Sequence, residues 1–146
     1  MGRTAHQTDR LGALAPRYAF ILNPHTDSRF TRCARCGTRT NVRKFPLVIH
    51  VKDFGLVLLG KTCRVCLRCD ALVAHRAELD ELLRTVVHVQ DPDYVVLGTI
   101  DRRVYRRGLA DAASLDDVKQ HMADFKSYWN VDVTPAGWYP KDGQAG

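Results

Sequence analysis

Four of the five cysteines in this sequence fall into two short pairs, and this spacing is its strongest chemical signal. Two residues separate Cys33 from Cys36, and two separate Cys66 from Cys69. Such spacing lets one tight turn direct both sulfurs to the same side, and four thiolates from two turns hold one tetrahedral Zn²⁺. The sequence therefore predicts one structural zinc ion with Cys33, Cys36, Cys66 and Cys69 as its ligands.

The residue after each pair supports the same prediction. The position that follows the second cysteine often needs a left-handed backbone, which Gly37 adopts without steric cost and Asp70 tolerates better than most residues. Asp70 is also a candidate N-cap for a helix that begins after the second pair. These two roles of Asp70 compete.

Two other residues offer alternative ligands. Two residues also separate Cys63 from Cys66, so these thiols form an alternative second pair, or a redox-active run together with Cys69. The register of the first pair favours Cys66 with Cys69, which leaves Cys63 as a small buried strand residue. His75, six residues beyond Cys69, is either a replacement ligand or a packed neighbour of the site.

No other pattern in the sequence indicates a catalytic centre. Four cysteines close a tetrahedral shell and leave no position for water, whereas catalytic zinc sites use three protein ligands. The histidines form no H-E-x-x-H pattern, and no Walker loop, G-x-G-x-x-G or G-x-S-x-G motif occurs. The sequence favours a non-enzymatic protein and leaves the enzyme question open.

Positive charge is concentrated in the first half of the chain. Residues 1–69 contain 13 Lys and Arg against 3 Asp and Glu, whereas residues 70–146 contain 9 against 13. A basic surface attracts polyanions, with an affinity that falls as salt is added. Arg outnumbers Lys 16 to 6 and Asp outnumbers Glu 14 to 2, so a solvated surface shaped by genome composition is an equal alternative.

The basic residues suggest where a nucleic acid would bind. We expect contacts with the phosphates of RNA, DNA or a ribonucleoprotein from residues in and after the first cysteine pair and one in the second, namely Arg35, Arg39, Arg43, Lys44 and Arg68. In a second basic run, Arg102 to Arg107, Tyr105 would stack a base between two guanidinium groups if the run is a strand. The alternative is an exposed strand face that pairs with acids of the last helix.

Size and composition are those of one soluble domain. A chain of 146 residues with 45% apolar and 26% charged residues is ordinary for a globular protein. No apolar run reaches the ~18 residues that span a bilayer, and residues 1–16 lack the apolar core of a secretory signal. An odd number of cysteines fits a metal site better than a secreted disulfide framework. We expect a cytoplasmic location and no membrane partner.

The cysteine pairs are separated by a predicted hairpin. Residues 40–51 are predicted to form a strand, with Phe45, Leu47, Ile49 and Val51 on one face. Residues 52–55 supply turn chemistry, and residues 56–64 return as the second strand. This hairpin brings a cysteine pair to each of its open ends, so both pairs meet on one side. An earlier apolar run, Tyr18 to Leu22, is expected to dock on it as an edge strand.

Beyond the second pair, the sequence predicts two helices and another hairpin. The first helix begins after Asp70, strands at 94–99 and 103–107 form the second hairpin, and residues 114–129 form the last helix. The predicted fold class is α+β: a zinc-ribbon β-hairpin followed by a helix, a second β-hairpin and a C-terminal helix, packed as one small domain. The predicted segments are a mobile N-terminal part with a docking strand (1–28), a zinc ribbon (29–76), a helix–hairpin–helix unit (77–130) and an irregular tail (131–146).

Residues 33 to 69 resemble the zinc-ribbon superfamily, through their two cysteine turns and the hairpin between them. Residues 30–75 also look like small uncharacterised bacterial zinc-ribbon proteins. Ala34 and Leu67 replace the prolines that are common in the turns of this superfamily. The resemblance implies a structural zinc ion and a role in nucleic-acid handling or in docking to another protein. A protein-interaction or assembly module that pairs through the ribbon edge is therefore the alternative function, and a thiol redox protein that uses Cys63 is the third.

Overall fold

The computed structural model describes residues 10–26, 29–33, 35–106, 115–129, 132–134 and 137–139, the last two ranges as backbone only. Nine strands and three helices lie in these ranges. In chain order they are β1 (Ala19–Asn23), β2 (Asn41–Val51), β3 (Gly55–Cys66), β4 (Ala71–His75), α1 (Arg76–Val87), β5 (Tyr94–Ile100), α2 (Arg102–Arg106), α3 (Leu115–Gln120), β6 (Met122–Asp124), β7 (Ser127–Tyr128), β8 (Asp132–Thr134) and β9 (Gly137–Tyr139).

The central hairpin confirms the prediction from alternating polarity. Strands β2 and β3 pair antiparallel without a break from Asn41 opposite Val65 to Val51 opposite Gly55. Asp53 (φ 65°) and Gly55 (φ 116°) supply the left-handed backbone that the turn requires. The apolar face of β2 is buried and forms the centre of the core, with Phe45, Leu47, Ile49 and Val51 in contact with α1 and the neighbouring strands.

The predicted α+β fold class is wrong. Seven strands form one curled half-barrel sheet in the order β6-β5-β2-β3-β4-β1-β7, and the helices are short, so the protein is mostly β. Strands β8 and β9 form a separate pair. The hairpin that carries the cysteines is therefore the middle of a larger sheet, and it is not an isolated ribbon with helices packed on it.

The first departure follows the second cysteine pair. Residues 71–75 were expected to begin a helix, but they form β4 between β3 and β1, and α1 begins only at Arg76. The four apolar residues of β4 are at most 6% exposed, because Leu72 and Ala74 join the core on one face and Ala71 and Val73 pack on the other. Burial on both faces of a sheet gives a continuous apolar run, which does not distinguish a strand from a helix.

The second predicted hairpin is also wrong. Strand β5 pairs with β2 and with β6, and residues 102–106 form helix α2 in place of a returning strand. The side chain of Asp101 accepts a hydrogen bond from the backbone N–H of Arg103 at 2.9 Å. This is the bond that an N-cap residue makes to the start of a helix. Arg107 lies outside the described residues.

The predicted C-terminal helix is wrong beyond its first turns. Helix α3 ends at Gln120, and the chain then forms the edge strands β6 and β7 on opposite sides of the sheet, with Phe125 and Lys126 between them. The backbone N–H of Phe125 bonds to Leu97 and that of Lys126 bonds to Tyr18. One short segment therefore connects the two edges of the curled sheet. The stacked rings of Phe20 and Phe125 (4.6 Å between centroids) pack in the core between them.

The remaining expectations have different outcomes. Strand β1, expected at an edge, lies between β4 and β7. The division into four segments stays a prediction, and residues 1–9 and 140–146 lie outside the described residues. Within the described ranges, no helix is long and apolar enough to cross a membrane.

Candidate metal centre

The sheet brings the four paired cysteines together. Cys33 and Cys36 lie in the loop before β2, Cys66 ends β3, and Cys69 lies in the turn between β3 and β4. Because β2 and β3 pair from Asn41 opposite Val65, the loop that enters β2 meets the turn that leaves β3. All four Sγ atoms lie within 4.8 Å of one another. The group can hold a metal ion, as the spacing of the cysteines predicted.

Both turns have the backbone geometry expected of metal-binding turns. Gly37 (φ 75°) and Asp70 (φ 54°) adopt the left-handed conformation that the sequence predicted at these two positions. Asp70 is therefore not the N-cap of a helix. Backbone N–H groups donate to the sulfurs, among them that of Arg35 to Cys33 at 3.3 Å and that of Cys69 to Cys66 at 3.4 Å. Such bonds stabilise thiolates over thiols.

The distances between the sulfurs fit a metal ion and not a disulfide. The Sγ atoms of Cys36 and Cys66 are 3.6 Å apart, and all five cysteines are free. A disulfide bond would hold two sulfurs about 2.05 Å apart. Four thiolates at ~2.3 Å from a tetrahedral Zn²⁺ are about 3.8 Å from one another. The Cys36–Cys66 separation is therefore close to that of a tetrahedral thiolate site, and the other sulfurs lie within 4.8 Å.

Three of the paired cysteines have shifted pKa values, and the shifts differ in direction. Burial raises the pKa of Cys33, and this effect is larger than the lowering caused by backbone hydrogen bonds from Cys36 and Arg35. Burial acts most strongly on Cys36 as well, but hydrogen bonds from the hydroxyl and backbone of Thr38 outweigh it and lower the pKa of Cys36 to about 6. The pKa of Cys69 is raised by burial and by its hydrogen bond to Cys36. A divalent cation bound by the cluster would hold its coordinating thiols in the deprotonated form.

An aromatic residue that is distant in sequence packs against the cysteine cluster. Trp129 packs on the cysteine cluster together with Ala71, and its backbone N–H donates to the carbonyl of Phe20 at 2.9 Å. The guanidinium carbon of Arg35 lies 4.3 Å from the centroid of the Trp129 ring, at cation–π distance. Trp129 was expected on a helix face, so its place at the metal site was missed. Trp129 lies four residues after Phe125, a spacing that fits a helix. The sequence therefore did not indicate its contact with the cysteine cluster, which depends on the sheet.

Cys63 is not part of the site. It is an odd number of residues from Cys66 on the same strand, so the two side chains point to opposite faces, and Cys63 packs in the main core at 3% exposure. Burial raises its pKa to about 12. A thiol that is buried and protonated at neutral pH is a poor nucleophile, which argues against the redox alternative.

His75 also lies outside the cysteine cluster. It ends β4 and forms the N-cap position of α1, where it makes no capping bond through its side chain. Both ring nitrogens are buried, and neither has a hydrogen-bond partner among the described residues. It lines a separate cleft instead.

The predicted phosphate contacts fall into two groups, all of them exposed. Arg35, Arg39 and Arg68 lie in or directly beside the two cysteine turns. Arg43 and Lys44 lie further along β2, opposite Cys63 and Thr62, and as consecutive strand residues they project from opposite faces. Three of the five therefore lie in the chain at the cysteine turns, and the other two project from opposite faces of β2.

No family model, curated protein or solved structure matches this chain. The resemblance to zinc-ribbon proteins rests on its cysteine turns and hairpin alone.

Proposed function

We propose that this protein is a non-enzymatic zinc protein in which one structural Zn²⁺ joins the loop before β2 to the turn after β3. The observation that carries the proposal is the convergence of four Sγ atoms within 4.8 Å, on two turns of suitable backbone geometry. Four thiolates saturate a tetrahedral ion and leave no site for a substrate or water. Zinc binding by such sites releases about 10–16 kcal/mol in small peptides, comparable to the whole stability of a domain.

We further propose that the surface around the metal binds the phosphate backbone of a nucleic acid. Four arginines in and beside the cysteine turns form what we call the arginine collar: Arg32, Arg35, Arg39 and Arg68. None of the four is in an ion pair among the described residues. A zinc ion with four thiolates carries a net charge of about −2, which offsets part of the collar and leaves it positive. Arg35 on Trp129 adds a flat surface on which a base can stack.

Binding at several salt concentrations tests this proposal. Fluorescence anisotropy with single-stranded RNA and with duplex DNA should show an affinity that falls linearly on logarithmic axes as salt rises. Arg39→Gln and Arg68→Gln should each weaken binding and reduce the salt slope by about 0.7 to 0.9. Arg84→Gln, on α1, is the matched control and should leave both unchanged. An affinity that does not change with salt would contradict the proposal. So would a loss of affinity in Arg84→Gln as large as that in Arg39→Gln and Arg68→Gln.

One observation favours the alternative of a protein-interaction module. Strand β3 pairs with β4 only at Arg64 to Cys66, so on that side residues 55–63 have no strand partner among the described residues. An open strand edge can add a strand from another chain. Lys61 covers one end of this edge, because its Nζ donates to the carbonyl of Thr62 at 2.7 Å. Failure to bind any nucleic acid would make this alternative the better account.

A further inference from the structure

A cleft of about 320 Å³ lies on the sheet beside the N-terminal end of α1, separate from the cysteine cluster. Its floor includes Thr62 and Val73 of neighbouring strands, and Arg29, Arg64 and His75 stand around it. The volume is at the lower end of the range for sites that bind small molecules. None of the four paired cysteines lines this cleft, so it is independent of the metal.

The imidazole of His75 is the unexplained group in this cleft. Both of its ring nitrogens are buried and have no hydrogen-bond partner in the described part of the chain. A neutral imidazole has one N–H donor and one acceptor, and buried polar atoms are nearly always satisfied. Because both nitrogens are buried, the ring must turn toward the cleft before a second hydrogen-bonding species there can remove the deficit.

The charges around the cleft select the sign of that species. Arg29, Arg64 and the acidic Glu78 line the cleft, and Lys61, whose side chain is 6% exposed, lines a neighbouring cleft. Against these three cations stands the carboxylate of Glu78, which is 2.6 Å from Arg29 Nη1 and 2.9 Å from Lys61 Nζ. The local balance is positive, which disfavours a metal cation and favours an anion. The His75 side chain makes no capping hydrogen bond to the first turn of α1, and the N-terminus of a helix favours negative charge.

We propose that this cleft binds a small phosphate-type oxyanion through Arg29, Arg64 and His75. Guanidinium groups present parallel N–H donors that match the oxygens of such an anion. Thr62 and His75 also line the cleft, and their hydroxyl and imidazole N–H are further hydrogen-bond donors. A tetrahedral oxyanion accepts bonds from several directions at once, as this arrangement requires. The phosphate is either free or carried by a small molecule such as a mononucleotide.

Titration of the zinc-loaded full chain with inorganic phosphate tests the proposal. Amide chemical shifts followed by NMR up to about 20 mM phosphate, a range that covers millimolar dissociation constants, should saturate and be confined to residues around the cleft. His75 side-chain nitrogen resonances should shift in the same titration. A mononucleotide and its unphosphorylated nucleoside separate the two sources: tighter binding of the mononucleotide than of phosphate indicates a carried phosphate, and equal binding indicates free phosphate. Equal binding of acetate contradicts the phosphate assignment.

Variants assign the binding to these residues. Arg64→Gln and His75→Gln should each weaken phosphate binding at least about tenfold, whereas Arg103→Gln, whose side chain is 82% exposed on α2, should not change it. Arg64→Lys keeps the positive charge and is the control for a folding defect in Arg64→Gln. It should bind phosphate with intermediate affinity. Absence of saturable shifts, or equal losses in Arg103→Gln, would overturn the proposal. Arg39→Gln and Arg68→Gln should leave phosphate binding intact, so failure here is distinct from failure of nucleic-acid binding.

Discussion

At the scale of single residues, Cys63 and Cys66 show how position on one strand decides chemistry. Both belong to β3 and both are buried, at 3% and 0% exposure. Because side chains alternate across a strand, Cys66 joins the other cysteine sulfurs and Cys63 joins the apolar core. The two thiols therefore provide a matched pair for mutation.

We predict that Cys66→Ser abolishes stoichiometric zinc binding, whereas Cys63→Ala keeps it. Loss of one thiolate opens the tetrahedral shell, but loss of the Cys63 sulfur leaves only a small cavity that costs about 1 kcal/mol of unfolding free energy. Metal content per chain and thermal unfolding, measured on both variants and on the wild-type protein, check this. Full zinc content in Cys66→Ser, or its loss in Cys63→Ala, would show that the ligand set is wrong.

At the scale of elements, α1 is attached to the sheet by an ion pair as well as by its apolar face. Leu79, Leu83 and Val87 of α1 are buried in the core. On its first turn, Glu78 bonds to Lys61 Nζ of β3 at 2.9 Å and to Arg29 Nη1 at 2.6 Å. The Lys61 side chain is only 6% exposed, so this carboxylate is a counter-charge held directly against a nearly buried amine.

We predict that Glu78→Gln destabilises the fold by about 1–2 kcal/mol. The change leaves the ammonium of Lys61 buried without its counter-charge, and the partial exposure of Glu78 reduces the loss below that of a fully buried pair. Glu81→Gln is the control, because the Glu81–Arg84 pair is exposed and should contribute less than about 0.5 kcal/mol. Urea unfolding at neutral pH measures both. Equal effects of the two substitutions would contradict this account of α1.

The same carboxylate predicts a pH dependence. The hydrogen bond from Lys61, followed by that from Arg29, lowers the pKa of Glu78 to about 2, below the ordinary value of 4.5. A depressed folded-state pKa means that the stabilisation is full above pH 4.5 and is lost as the pH falls toward 2. The difference in unfolding free energy between wild type and Glu78→Gln should therefore shrink between pH 5 and pH 3. Because acid acts on the rest of the chain alike in both proteins, the difference isolates Glu78, and a constant difference would argue against the ion pair.

The elements also show what local patterns reveal. The alternation in residues 40–51 and the turn residues after them predicted the β2–β3 hairpin, and the cysteine spacing predicted the group of four sulfurs, because these are short-range features. Residues 71–75 and 122–129 were assigned to helices, since apolar residues such as Leu72, Val73 and Phe125 fit a helical stripe as well as a buried strand. Their strand structure depends on partners distant in sequence, and Trp129 reaches the metal site for the same reason.

At the scale of the whole molecule, the metal site and the closure of the sheet are linked. The segment that supplies β6 and β7 ends at Trp129, which packs on the cysteine cluster.

In the Trp138→Phe variant, we predict that removal of zinc with a chelator changes the emission of Trp129 and that added zinc restores it. Arg35→Gln should retain this response, because the stacked guanidinium is not a metal ligand. An emission spectrum that is the same with and without metal would separate Trp129 from the site.

The most direct test of the central claim is the metal content of the full chain purified without chelators. Elemental analysis by mass spectrometry, normalised to protein concentration, should give about one zinc ion per chain, as a single tetrahedral site of four thiolates requires. Titration of accessible thiols on the same sample should find the four paired cysteines protected until the metal is removed. A metal-free protein with four reactive thiols, folded as stably as the zinc-treated one, would contradict the proposed structural zinc site.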